Sequence, residues 1–600
     1  MKLSVLTQLE LESPNCDTVP AIATLRRLGV AGAPSLKALP SFPQLQELQL
    51  NRCRGLEVIS AMPELRSLHA NDCGLAGTLP AFPRLAKLEV RSCPQLASIA
   101  LLPRLHTLVL HRCPRVTTLP LFPRLTDLKA MDSGLNTTLP AFPSLVRLVA
   151  VQCQNLERLP LFPQLSELTV SACCIAGPLP FMPTLCKAEL DRHCNLPEPP
   201  PPFPLLEELT LSESESSLAF LEGQTALRRL HVRHCRRVAS LPSLPRLQEL
   251  TVERCSRLAC IASMPALRKL HVKDCLRLTS LPLCPNLTRL TTEEDCIHSE
   301  LPALPRLDHL SLSSSCLGSL PPLQHLTHVW LFACHNLTAL PALPALRKLG
   351  ISCCERLKSL ASFPHLEELS LRSCKQLSFI PATPSLRKLT VDRRLLATAL
   401  PCCPQLTALH VDFGAGGPTG AERVPTFCPL PASIEELHLR KWQQSELLEL
   451  GLTAAPKLSL LSLDKCACLT SIPSMPSLRR LDITECSHIA SLPTLPRLET
   501  LRLTFCHGLL AVPPLPALKS LHVLGCHRLK RVADLAQLEK LLVHRAVGLT
   551  SISNLPLVRD MTVVAAASLQ SISRVPALKE LFLCGRTRPE VMPEGDYKLH

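Results

Sequence analysis

Apolar residues recur at fixed positions of a twenty-residue frame along nearly the whole chain. From Pro43 to Pro63 the frame reads P-x-L-x-x-L-x-L-x-x-C-x-x-L-x-x-I-x-x-M-P. The alternation in Leu48-Gln49-Leu50 predicts a short strand. Leu48 and Leu50 would point inward, and Glu47, Gln49 and Asn51 outward. One such coil cannot bury its own leucines, but stacked coils bury them between neighbours, which predicts one long parallel sheet. The return side carries L-P-x-F-P. Two prolines per coil forbid a regular helix there, so extended or polyproline-like segments and tight turns are expected. Phe42, Phe82, Phe122, Phe142 and Phe162, with Met62, share one column of that side and form a candidate inner spine.

A cysteine column marks the period. Cys53, Cys73, Cys93, Cys113, Cys153 and Cys173 lie twenty apart, with Ser133 in the gap. Cys235, Cys334 and Cys466 each open a further series. Roughly 28 copies fill the chain. The core L-x-x-L-x-L-x-x-C resembles the leucine-rich repeat, L-x-x-L-x-L-x-x-N/C, over about Leu6 to Cys584. The C-x-x-L-x-x-L-P ending is similar to the cysteine-type repeats of plant intracellular immune receptors. The short period with L-P-x-x-P is similar to the LPX-type repeats of secreted bacterial effectors. The chain departs from both, having Cys where the bacterial repeats prefer Asn and a shorter turn than most plant repeats. The resemblance implies a repeat solenoid, a leucine-rich repeat horseshoe or superhelix. Its concave side would be a parallel β-sheet, and its convex side irregular, Pro-rich and helix-poor.

Composition sharpens this picture. Fifty-eight prolines against twenty glycines fit a proline-turned coil. Most of the thirty cysteines fall in or beside the inward column, where stacked parallel side chains are poorly placed for disulfides. They read as small buried groups with a weak donor, in a reducing, cytoplasmic compartment. No apolar run approaches a membrane span, and Met1 to Glu12 enters the repeat without a signal core. The net charge of +15 is spread along the chain, so nucleic acid is not an expected partner.

The expected layout is a solenoid over 1–584, with an irregular coil at 191–223, an inserted loop at 413–431 and a polar tail at 585–600. The tail shows little sign of structure. The loop Gly414-Ala-Gly-Gly-Pro-Thr-Gly420 lacks the G-x-x-x-x-G-K-[ST] pattern of a phosphate cradle. No catalytic set is legible, and neither a cofactor nor a metal is expected. His231, Arg233 and His234 beside Cys235 raise zinc, but His231 and Arg233 should point away from Cys235, so a basic recognition spot is the better reading.

Four outward clusters are candidate docking residues. Trp330 and Phe332 flank core Leu331 as large aromatic anchors. Val109, Lys129, Met131, Val149 and Val151 make an apolar patch. His231 and Arg233 make the basic spot. Leu524, Leu542, Val564 and Phe582 make a stripe over the last coils. The function these features imply is non-enzymatic recognition of a protein partner on the concave face. A pathogen effector that sequesters a host protein in the host cytosol is the alternative. An enzyme subunit with an undetected site is a remote third.

Overall fold

The computed structural model describes residues 6–12, 17–136, 138–175, 179–191, 203–213, 218–278, 280–293, 301–314, 317–400, 403–414, 430–444, 447, 452, 455–585, 589–594 and 597–599. It divides into two compact units, Met1–Leu307 and Asp308–His600. Each is a parallel β-solenoid whose coils repeat about every twenty residues. In the first, Arg27–Ala31, Glu47–Asn51, Ser67–Asn71 and Lys87–Arg91 pair parallel and in step, with Leu28, Leu48, Leu68 and Leu88 side by side. In the second, the same ladder runs from His309–Ser313 through His328–Phe332 and Lys348–Ser352. It continues to Glu580–Cys584.

The expected alternation holds. In Glu47–Asn51, Leu48 and Leu50 are buried while Gln49 and Asn51 are exposed. A side chain such as Leu48, wholly buried, makes truncation to Ala costly, about 2–5 kcal/mol. Phe42, Met62, Phe82, Phe122, Phe142 and Phe162 are all sealed from solvent. Successive rings stack, Phe122 on Phe142 at 6.1 Å and Phe142 on Phe162 at 6.4 Å, so the column is an inner spine.

Many of the long strands are followed by a left-handed residue just before the cysteine column. Arg52, Asp72, Ser92, Arg112 and Gln152 have φ of 54, 53, 51, 53 and 54°. This conformation costs an L-residue roughly 1–2 kcal/mol. The turn aims the backbone N–H at the next coil, as Arg52 N donates to Asn71 O at 2.9 Å and Asp72 N to Arg91 O at 2.9 Å. The inward cysteines then bridge coils. Cys53 Sγ donates to Val30 O at 3.6 Å, Cys153 to Ala130 O at 3.5 Å and Cys506 to Ile483 O at 3.4 Å. The thiols replace an asparagine ladder by satisfying buried carbonyls. No disulfide joins the cysteines among the described residues.

The return side is extended where prolines dictate, and in places it forms regular structure of its own, among them the 3-10 turn Ala219–Gly223 and the short parallel pair Ala38–Leu39 with Val58–Ile59. Arg393–Ala399 is an α-helix. This coil has no proline between Pro384 and Pro401, so nothing blocks the helical N–H ladder. Near the C-terminus, Arg531–Ala533, Ser551–Ser553 and Ser571–Ser573 form a small parallel sheet. There the first proline of the frame is replaced by Ala533, Ser553 and Ser573, which restores the missing donors. The tail, read from sequence as having little structure, adds the strand Lys598–Leu599 beside Glu580–Cys584. Lys598 N donates to Lys579 O at 2.8 Å, covering part of an otherwise open strand edge. The inserted loop at 415–429 lies outside the described residues, as does the proline run at 198–202. Among the described residues no helix is long and apolar enough to cross a membrane.

Candidate partner-docking face

Trp330 and Phe332 stand on the outward face of His328–Phe332, with Val329 and Leu331 buried beneath. They are 50% and 52% exposed. In register, Trp330 has Ser311 on one side and Gly350 on the other, and Phe332 has Ser313 and Ser352. The indole occupies the space over Gly350, where an added Cβ would lie 2.0 Å from Trp330 Cε3. Two large aromatics therefore stand among small residues, the indole lying over Gly350 and the small Ser311, Ser313 and Ser352 flanking the rest of the pair. Full burial of such rings withdraws about 150–250 Å² each from water.

The row before the aromatics is polar. His309 and His328 stack at 4.2 Å with planes 4° apart. Asp308 Oδ2 lies 2.9 Å from His309 Nδ1. Thr327 Oγ1 contacts both Asp308 Oδ1 and, at 2.7 Å, His328 Nδ1. Burial, then His309, lowers the His328 pKa. Lys348, next in the row, is held by Glu368 at 3.1 Å. This cluster was missed in the sequence. Its signal was His309 and His328 sharing one column of successive coils.

The valine patch is brought together but lies low. Val109, Lys129 and Val149 are register neighbours in one row, and Met131 and Val151 in the next. Val109 corrects the expectation of an exposed group, since it is only 9% exposed. In register it stands between Glu89 and Lys129, a short branched side chain shaded by long ones. Lys129, Met131, Val149 and Val151 are half-buried.

The basic spot is largely compensated. Arg233 pairs with Glu253 at 3.4 Å, His271 approaches Glu253 at 3.8 Å, and Lys273 bonds Glu293 at 2.6 Å. His231 is half-buried, and burial, then Arg233, lowers its pKa. The C-terminal stripe is staggered. Leu524 and Val564 lie in one row with His544 between them, and Leu542 and Phe582 in the other with Thr562 between them. Leu542 and Phe582 are exposed at 39% and 42%. The register therefore breaks the expected stripe into diagonal contacts. On the return side, Leu101, Leu121, Leu161 and Phe181 make an exposed apolar row that the strand pattern did not flag.

No family model and no curated protein sequence matches the chain. Among solved structures it is similar to YopM from Yersinia enterocolitica WA-314, at 18% identity and a TM-score of 0.26, over 96% of this chain and 91% of that one. It is also similar to CroV588, described as a novel circular leucine-rich-repeat protein, at 13% identity and a TM-score of 0.44, over 95% of this chain and 92% of that one.

Proposed function

We propose that the chain is a non-enzymatic recognition protein that binds a protein partner on its strand face, with Trp330 and Phe332 as the anchors. The observation that carries this reading is the pair of half-exposed aromatics above Ser311, Ser313, Gly350 and Ser352. Anchors of this type dominate interface energies when they become fully buried. The rigid ladder beneath them holds the anchors in place before binding, so little ordering entropy is lost on contact. The half-buried valine patch and the diagonal C-terminal apolar residues are secondary surfaces under the same reading.

The test is affinity capture with the full chain and with a Trp330→Ala, Phe332→Ser double variant, followed by mass spectrometry. A partner retained by the native chain and lost by the folded variant is the expected result. Equal retention by both would overturn the assignment of the anchors.

A further inference from the structure

Beyond protein docking, the geometry points to a divalent transition-metal site of the Zn²⁺ class formed by Asp308, His309 and His328. Two adjacent coils supply the donors: Asp308 and His309 from one, His328 from the next. One ligand atom from each residue lies within 4.8 Å of the other two. His309 Nδ1 is buried and has no hydrogen-bond partner, although Asp308 Oδ2 lies 2.9 Å away. A buried nitrogen 2.9 Å from a carboxylate oxygen, without a hydrogen bond joining them, is an arrangement that a shared cation would satisfy.

Thr327 fixes the rest of the cluster. An ionised carboxylate only accepts, so the Thr327 hydroxyl donates to Asp308 Oδ1 and accepts from His328 Nδ1–H. That chain orients His328 and the carboxylate together, as outer-sphere bonds do around metal-binding histidines. The nearest cation along the row, Lys348, is occupied by Glu368. Two imidazoles and one carboxylate suit Zn²⁺ and its neighbours, with a fourth position open to water. Ca²⁺ and Mg²⁺ would be poorly served, because they take oxygen donors. Donors about 2.0–2.1 Å from a tetrahedral ion stand roughly 3.4 Å apart. Separations at the 4.8 Å limit must therefore contract by about 1.4 Å, while the 2.9 Å between Asp308 Oδ2 and His309 Nδ1 must open by about 0.5 Å. The stacked rings must also tilt, because in-plane lone pairs of parallel rings cannot meet at one ion.

The chain carries its own reporter. It has two tryptophans. Trp330 lies two residues beyond His328 on the same face, about 6.6 Å along the strand, whereas Trp442 is buried elsewhere in the unit. CoCl₂ is titrated into the full, chelator-treated chain under reducing conditions while tryptophan emission is followed. Saturable quenching is expected, reversed by ZnCl₂ and absent from the Trp330→Phe variant. His309→Gln and Asp308→Asn should each weaken it about tenfold or more, with unchanged circular dichroism. Quenching equal to wild type in both folded variants would overturn the site, as would the absence of saturable quenching in the native chain.

Discussion

Trp330 lies across Gly350, whose missing Cβ is the space the indole fills, 2.0 Å from Cε3. Phe505 and Gly525 repeat the relationship near the C-terminus, where an added Cβ would meet Phe505 Cδ1 at 2.4 Å. In each pair a glycine one coil on sets how an exposed aromatic is presented.

Gly350→Ala should therefore displace the indole without breaking the fold, because Gly350 does not occupy a left-handed conformation. Trp330 is half-exposed, so the expected loss of stability is small, about 1 kcal/mol or less. Partner capture should fall as it does in Trp330→Ala. Full capture by Gly350→Ala would show that the indole's pose is not what the partner reads.

Ala565 is left-handed at φ 55°, and its N–H donates to Cys584 O at 2.9 Å. Glycine removes the steric cost of this conformation but adds unfolded-state entropy. Ala565→Gly should gain about 0.5 kcal/mol, and Ala565→Val should lose about 1–2 kcal/mol. Chemical denaturation of the three proteins orders them, and a Val variant as stable as Gly would refute the argument.

The cysteine ladder should be chemically quiet, because its thiols are buried between coils where reagents do not reach them. Burial pushes the Cys374 thiol up to about 12 and also raises that of Cys113. Thiolate is the reactive form. At pH 8, native protein should give rapid reaction only at exposed thiols such as Cys174, Cys186, Cys260, Cys468 and Cys584. The rest should react on denaturation. Mass spectrometry after brief alkylation locates the modified residues, and early labelling of Cys53 or Cys113 would contradict the ladder.

His410 stacks on His438 at 3.9 Å, and burial, then the His438 ring, lowers its pKa to about 4. Thr390 precedes this pair in the row, and Arg372 and Lys388 oppose its protonation. The folded pKa is depressed, so the unfolded chain takes up the proton first as pH falls. Stability is fully present above about pH 6.5, declines as pH drops toward 4 and levels off below. The ring is half-buried, and with solvent screening the loss is about 1–2 kcal/mol. Thermal unfolding at pH 7.5 and 5 should show a smaller gap for His410→Gln than for the native chain. An unchanged gap would exclude His410 as the source.

Much of the architecture was legible because it is a local rule repeated. The L-x-L alternation, the inward cysteine and the paired prolines each act within one coil. Leu48, Cys53 and Phe42 were therefore placed correctly from spacing alone. The docking candidates were less legible. Their exposure depends on neighbours twenty residues away, as Val109 shows by sinking between Glu89 and Lys129. Arg233 and Lys273 read as basic until the register set them against Glu253 and Glu293.

By itself, then, the sequence determined the parallel ladder, the buried column and the outward position of Trp330 and Phe332, because strand alternation leaves no other face for them. Only the tertiary structure decided which outward residues meet. Register put Gly350 under Trp330, separated Leu524 from Leu542 into different rows, and stacked His309 on His328 beside Asp308. Those relationships join residues on different coils, and stacking fixes them through cross-strand hydrogen bonds.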